Sequence, residues 1–126
     1  MSQLKFNPSS PSIIVTADIK ANYPTDPKLI LDTGASYVTL PRNLVTGIGI
    51  PIDTKNTVQL TSASTVETTS KILIPEIKVL GKKVKNVEAI IKDLPPQAPA
   101  DGLLGLSFLR HFKITIDFKK GILELT

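Results

Sequence analysis

The sequence predicts an all-β domain, a closed or barrel-like sheet with one short helix near the C-terminus. Three observations point there. Short runs rich in valine, isoleucine and threonine recur along the whole chain. Clusters of proline, glycine, asparagine and aspartate separate them, and these residues turn a chain rather than extend a ladder. Helix start and stop signals occur in only two places, and both stretches are brief. At 126 residues the chain has the size of one domain. Such a chain buries roughly two-thirds of its unfolded surface, enough for a core without staples.

Residues 1–12 read as an N-terminal arm, either flexible or part of a dimer interface, and residues 13–126 as the domain proper. Within it, 13–19 and 28–31 read as strands. Pro24 and Pro27, with Asn22 and Asp26, make turn chemistry between them, because proline cannot donate to a central ladder. A short strand follows at 37–40. Residues 41–45 read as a helical turn with Pro41 at its first position, stopped by Gly47. Residues 57–61 and 66–74 form a long hairpin around a polar tip of Ser62, Ala63, Ser64 and Thr65, which has little to bury. A second hairpin pairs 77–80 with 84–91 across Gly81, Lys82 and Lys83. Leu94 to Pro99 is a rigid, extended connection with no ladder potential. Residues 101–106 are apolar and bracketed by Gly102 and Gly105, which suits a buried strand approached closely by other backbone. Ser107 is placed to cap a short helix reaching His111. Residues 114–118 and 122–125 alternate across Lys119, Lys120 and Gly121 as the clearest hairpin of the chain.

Composition removes several classes of function. There is no cysteine and a single histidine, His111. Disulfides, thiolate chemistry and Cys/His metal cages are excluded, and a Ser-His-Asp triad would have to use His111. No metal or other cofactor is expected. The formal charge of +4 comes from 15 basic and 11 acidic side chains. Its two clusters, Lys82, Lys83 and Lys85, then Lys119 and Lys120, each sit beside a hairpin glycine with no aromatic platform nearby. They read as solvated turns rather than a nucleic-acid surface, and edge lysines discourage sheet-to-sheet aggregation. No apolar run approaches the roughly 20 residues that span a bilayer, and the first residues lack a signal-peptide core. The reading is a soluble domain without a membrane segment. It leaves the compartment open, with the cytoplasm slightly favoured and a membrane-anchored precursor compatible.

The most informative stretch is Leu31-Asp32-Thr33-Gly34-Ala35-Ser36. An acid ends an apolar run and is followed at once by a hydroxyl, a glycine and a small residue. A carboxylate there is carried out of a buried strand into a tight turn, partly desolvated. Such a position is costly for a charge, and costly charges mark function more often than decoration.

Joined to three further features, this string resembles the retropepsin-like aspartic proteases, in particular bacterial members of that group. The features are the polar-tipped hairpin some thirty residues later, Leu103-Leu104-Gly105 about seventy residues on, and the short helix after it. The resemblance implies a dimeric retropepsin (acid protease) fold over residues 13–126. It implies a cofactor-free aspartic endopeptidase acting on an extended peptide or unfolded protein. Asp32 would be half of a catalytic pair, Thr33 would tie the two active-site loops together across the two-fold axis, and Gly34 would admit backbone and substrate. Ala35 completes the loop, and Ser36 would donate to the outer oxygen of Asp32. Ser62, Ala63, Ser64 and Thr65 would form the flap tip, which lacks the glycine such flaps commonly carry. Leu103 and Leu104 would pack behind the loop and line the cleft, favouring hydrophobic residues beside the cleaved bond.

Two carboxylates are needed to activate water and protonate the leaving nitrogen. Of Asp18, Asp26, Asp53, Asp93, Asp101 and Asp117, none is followed by Thr-Gly or Ser-Gly. The sequence therefore predicts a symmetric homodimer with one Asp32 from each chain, inactive as a monomer. Either the first residues, 1–6, or the last, 122–126, would build the dimer sheet. The plainer alternatives are a turn aspartate at 32 and, in another functional class, a non-proteolytic dimerisation or peptide-binding module on the same fold. Asp101 reads as a turn residue and His111 as a surface or helix-end histidine.

Overall fold

Alternation sets the strands. In β2 (Ile14–Lys20), Val15, Ala17 and Ile19 are buried while Thr16 and Lys20 face solvent. The structure is a computed structural model that describes residues 2–61 and 63–126. In chain order, β1 (Gln3–Lys5) precedes β2, and β3 (Pro24–Thr25), β4 (Lys28–Leu31) and β5 (Val38–Leu40) follow. Then come α1 (Arg42–Gly47), β6 (Thr57–Thr61), β7 (Val66–Val79) and β8 (Lys82–Ile91). The chain ends with β9 (Gly102–Leu104), α2 (Leu106–Leu109), β10 (Ile114–Asp117) and β11 (Ile122–Leu125). The fold is mostly β, as the sequence predicts, with two short helices rather than one.

Six strands run in the order β2-β4-β9-β5-β8-β7, and β7 pairs back onto β2, closing a barrel. Closure leaves only the short β3 and the hairpin strand β6 as edges of this sheet. β3 holds Pro24, one of the two prolines expected to stay out of a central ladder, and it does so at an edge, while Pro27 lies between strands. The interior is filled by aliphatic side chains around Phe108, with Ile19, Leu29, Leu40, Ile74 and Ile77 fully buried. Among the described residues, no helix is long and apolar enough to cross a membrane.

β7 continues through Pro75, where the sequence predicts a break. Its inward residues are Ser70, Ile72 and Ile74, then Ile77 and Val79, so the parity changes at 75–76. β8 changes parity at Asn86, which sits at φ 58, in the left-handed region that asparagine tolerates. Pro75 and Asn86 lie opposite each other, between the pairs Ile74↔Val87 and Glu76↔Lys85. The proline has no N–H to give at the one place where the ladder skips a pair. The hairpin thus turns a corner without slipping register. On one side β7 pairs with β6, and on the other with β2.

The topology around β9 positions the site. β4 and β5 are not neighbours, because β9 slots between them, parallel to β4 and antiparallel to β5. The connection from β4 to β5 must span two strand spacings, about 10 Å, across the end of β9. Backbone passes so close that two glycines are required. A Cβ on Gly102 would lie 1.9 Å from the Thr39 carbonyl oxygen, and one on Gly105 would lie 2.4 Å and 2.6 Å from those of Tyr37 and Ala35. These contacts explain the glycine bracket seen in the sequence.

A second sheet, β1-β11-β10, gathers both termini of the chain. Leu123 and Leu125 from β11 enter the same core. Two helix starts differ from expectation. Pro41 lies just outside α1 in extended backbone (φ −71, ψ 151) rather than at its first position. Ser107 lies inside α2, which begins after Gly105 and carries no side-chain cap. Its hydroxyl instead accepts the Val38 N–H at 2.9 Å, tying the helix to the first residue of β5.

Candidate active site

The loop 32–37 begins while still laddered to its neighbour, since the Asp32 N–H donates to the Leu104 carbonyl at 3.1 Å. The chain then turns on the acid itself. The Gly34 N–H donates to Asp32 Oδ1 at 2.9 Å, and the Ala35 N–H donates to the Asp32 carbonyl at 3.2 Å. An aspartate side chain closing a turn with its own backbone two residues on is a favourable local geometry. A Cβ on Gly34 would stand 3.2 Å from that carboxylate oxygen, so the glycine keeps this approach open. The far limb is sewn to the turn after β9. The Ala35 carbonyl accepts the Leu106 N–H at 2.8 Å, and the Ser36 carbonyl accepts the Ser107 N–H at 3.0 Å.

Asp32 is half-buried, as is Ala35, while Thr33, Gly34 and Ser36 are exposed. Among the described residues, no basic side chain pairs with Asp32, and the hydroxyls of Thr33 and Ser36 make no hydrogen bond. The Asp32 carboxylate is therefore positioned by a backbone amide and not neutralised by a cation. An acid held this way can accept a proton from water or share one with a second acid.

Beside the loop lies a cleft of about 600 Å³. Residues 34–37 line one side, Thr39, Ile90 and Leu103 line the barrel wall, and Gln59, Leu60 and Thr61 of β6 cover it. Lys92, Leu94 and Pro95 close one end. A larger cavity of about 840 Å³ lies beyond Leu94 and Pro95, against Arg42 and Asp101. Its acids are engaged in holding the fold: Asp93 Oδ1 accepts the Arg42 N–H at 3.1 Å and Asp101 Oδ2 accepts the Lys28 N–H at 2.9 Å. Volume is a weaker guide than chemistry here, and the smaller cleft is the one walled by the Asp32 loop.

The structure sorts the residues singled out in the sequence. Leu103 lines the cleft, whereas Leu104 is fully buried in the core behind the loop. Ala63, Ser64 and Thr65 are exposed at the hairpin tip, and Ser62 lies outside the described residues. The cleft is covered by the stem strand β6 rather than by this part of the tip. Asp101 holds the starts of β4 and β9 together, and His111 is an exposed helix-end residue with Nδ1 3.0 Å from the Phe108 carbonyl oxygen.

Sequence reasoning did not single out Tyr37, Thr39, Ile90, Lys92, Leu94 and Pro95 as cleft residues. Period-two alternation in β6 was the available signal for Leu60. The others come together only through barrel closure. Two ion pairs steady the hairpin: Lys71 with Glu88 at 2.6 Å, and Lys92 with Glu67 at 2.8 Å. The hydrogen bond and charge of Glu88 raise the Lys71 pKa above its ordinary value. Among the described residues, no cluster of three or more His, Cys, Asp or Glu stands ready to hold a metal ion.

A solved structure with the same architecture is the retropepsin-like aspartic protease from Rickettsia conorii. It matches with a TM-score of 0.68 at 23% identity, over 98% of this chain and 87% of that one. No curated relative matches the chain. At that identity the likeness speaks to the fold, which is retropepsin-like. The sequence model of the aspartyl protease family matches residues 15–108, a span that takes in Asp32, the β6–β7 hairpin and Leu103-Leu104-Gly105. With that match over most of its length, the chain belongs to the aspartyl protease family.

Proposed function

We propose that the protein is a homodimeric aspartic endopeptidase in which Asp32 of each chain supplies one carboxylate of a shared pair. The observation that carries this reading is the single Asp-Thr-Gly loop, held by backbone hydrogen bonds at the side of a cleft. Only one such carboxylate is present per chain, and the reaction requires two. A second copy related by a two-fold axis would supply it.

Two carboxylates about 3 Å apart share one proton, because like charges so close do not both ionise. The ionised member takes a proton from a water molecule as the water oxygen attacks the peptide carbonyl carbon. The protonated member gives its proton to the amide nitrogen as the C–N bond breaks. The exposed Thr33 hydroxyl is free to reach the partner loop, and Ser36 to approach the outer oxygen of Asp32 once the pair forms. The β6–β7 hairpin, with its tip at residues 62–65, would close over an extended peptide and exclude water. Leu60, Ile90 and Leu103 give the cleft an apolar character that suits hydrophobic residues beside the cleaved bond.

The test is cleavage of an unfolded protein substrate from mildly acidic to neutral pH, with sedimentation of the same samples. The wild type should cleave as a dimer. Asp32→Ala should sediment as a dimer and lose activity by several orders of magnitude, since the acid and base functions act as a unit. Cleavage that survives the substitution sinks the assignment, as does a monomer that cleaves. A stable dimer that binds peptides and cleaves none would assign the fold a binding role.

A further inference from the structure

Lys92 is the one charged side chain lining the cleft among the described residues. Its neighbours there are apolar or neutral: Leu60, Ile90, Leu94, Pro95 and Leu103, with the hydroxyl of Thr61. The Lys92 backbone is fixed, because its N–H donates to the Leu40 carbonyl at 3.0 Å just past the end of β8. Its ammonium meets Glu67 at 2.8 Å. Glu67 stands directly opposite Leu60 in the β6–β7 ladder, and residues opposite each other share a face of the sheet. The ion pair therefore bridges the hairpin stem to the cleft wall.

An ammonium has three donors, and Glu67 occupies one side of it. We propose that Lys92 gives this cleft a preference for substrates with an acidic side chain at one position flanking the apolar pair. This specificity rests on the reading of the cleft as a peptide-binding, peptide-cleaving site. A substrate carboxylate would take a donor of the Lys92 ammonium that Glu67 leaves open. A lysine at the same substrate position would face a like charge, so selection works by attraction and by exclusion together. Both ion-pair partners are partly exposed, which limits the effect to about three- to tenfold and makes it weaken with salt.

The experiment uses decapeptides with a central Phe-Leu pair, carrying Glu, Gln or Lys at each of six flanking positions in turn. With wild type, one position should favour Glu over Lys by that factor in kcat/KM. Lys92→Met, which keeps the aliphatic stem, should erase the Glu-over-Lys preference at that position, whatever it does to the overall rate. Lys92→Glu should invert it, and Glu67→Gln should enlarge it. The same peptides titrated into Asp32→Asn read binding without cleavage. There the Glu-over-Lys order should hold even if the protein proves not to be a protease, which separates the two ideas. Absence of charge preference at every position, or a preference unchanged in Lys92→Met, overturns the inference.

Discussion

The Asp32 loop and the β6–β7 hairpin face each other across one cleft and are held by opposite means. The loop is fixed by backbone: Asp32, Ala35 and Ser36 all bond to the strand and turn that pass beneath it. Two glycines let those segments touch. The outer hairpin has a regular ladder but buries little; Val66 is 62% exposed, and its side chains are tied to the barrel by surface ion pairs and by the Thr69 hydroxyl, which donates to the Ile91 carbonyl. A catalytic acid needs a geometry that does not wander, while a cover over a substrate needs to move. Under the proposed function, the difference in bonding would supply both from one barrel.

The largest expected effect breaks the rigid side. Gly102→Ala would force a Cβ to within 1.9 Å of the Thr39 carbonyl oxygen, a backbone atom in a buried strand that cannot swing aside. The loss should be about 4 kcal/mol or more, at the severe end for a single substitution, read as the shift of the urea unfolding midpoint. An alanine tolerated there would mean that β9 does not thread between β4 and β5 as described. Next come the paired leucines, which sharpen the boundary between core and cleft. Leu104→Ala should cost about 3 kcal/mol of stability as a cavity-forming change in the core. Leu103→Ala should cost well under half of that and act mainly on KM for peptides with bulky apolar residues. Equal stability losses from the two would contradict the division.

The two regions were unequally legible in the sequence. β4, β6 and β11 follow from local patterning, with ends where the chain chemistry placed them. The Asp32 string was legible because a turn aspartate, a small residue and a glycine are demanded by one short stretch of backbone. The glycine bracket around Leu103 and Leu104 was legible as close approach, though not what it approaches. What the sequence hid depends on partners distant along the chain. The continuity of β7 through Pro75 needs Asn86 opposite it in the left-handed region, and no local pattern announces that pairing. Ser107 has the composition of a cap, but its hydroxyl is taken by Val38, sixty-nine residues away. Lys92 looked like any surface lysine until barrel closure put it on the cleft wall.

The smallest effect belongs to the hairpin. Lys71 is paired with Glu88, whose hydrogen bond and charge raise its pKa above the ordinary 10.5. A raised lysine pKa means the folded chain holds the proton more tightly than the unfolded one. The pair's contribution is therefore fully present below about 10.5 and is lost only as pH climbs through the higher folded value. Both partners stand in solvent, where screening removes most of the attraction and ordering two long side chains opposes the rest. Lys71→Met should accordingly leave the unfolding midpoint unchanged across the neutral range and at any salt concentration. Its consequence should be dynamic: amide hydrogens around Lys71, and in the β6–β7 ladder that begins next to it at Ser70, should exchange faster, while those of Asp32, Gly34 and Ala35 keep their wild-type rates. Exchange that quickened equally in the loop would show that the two sides of the cleft open as one unit, and the contrast between them would be lost.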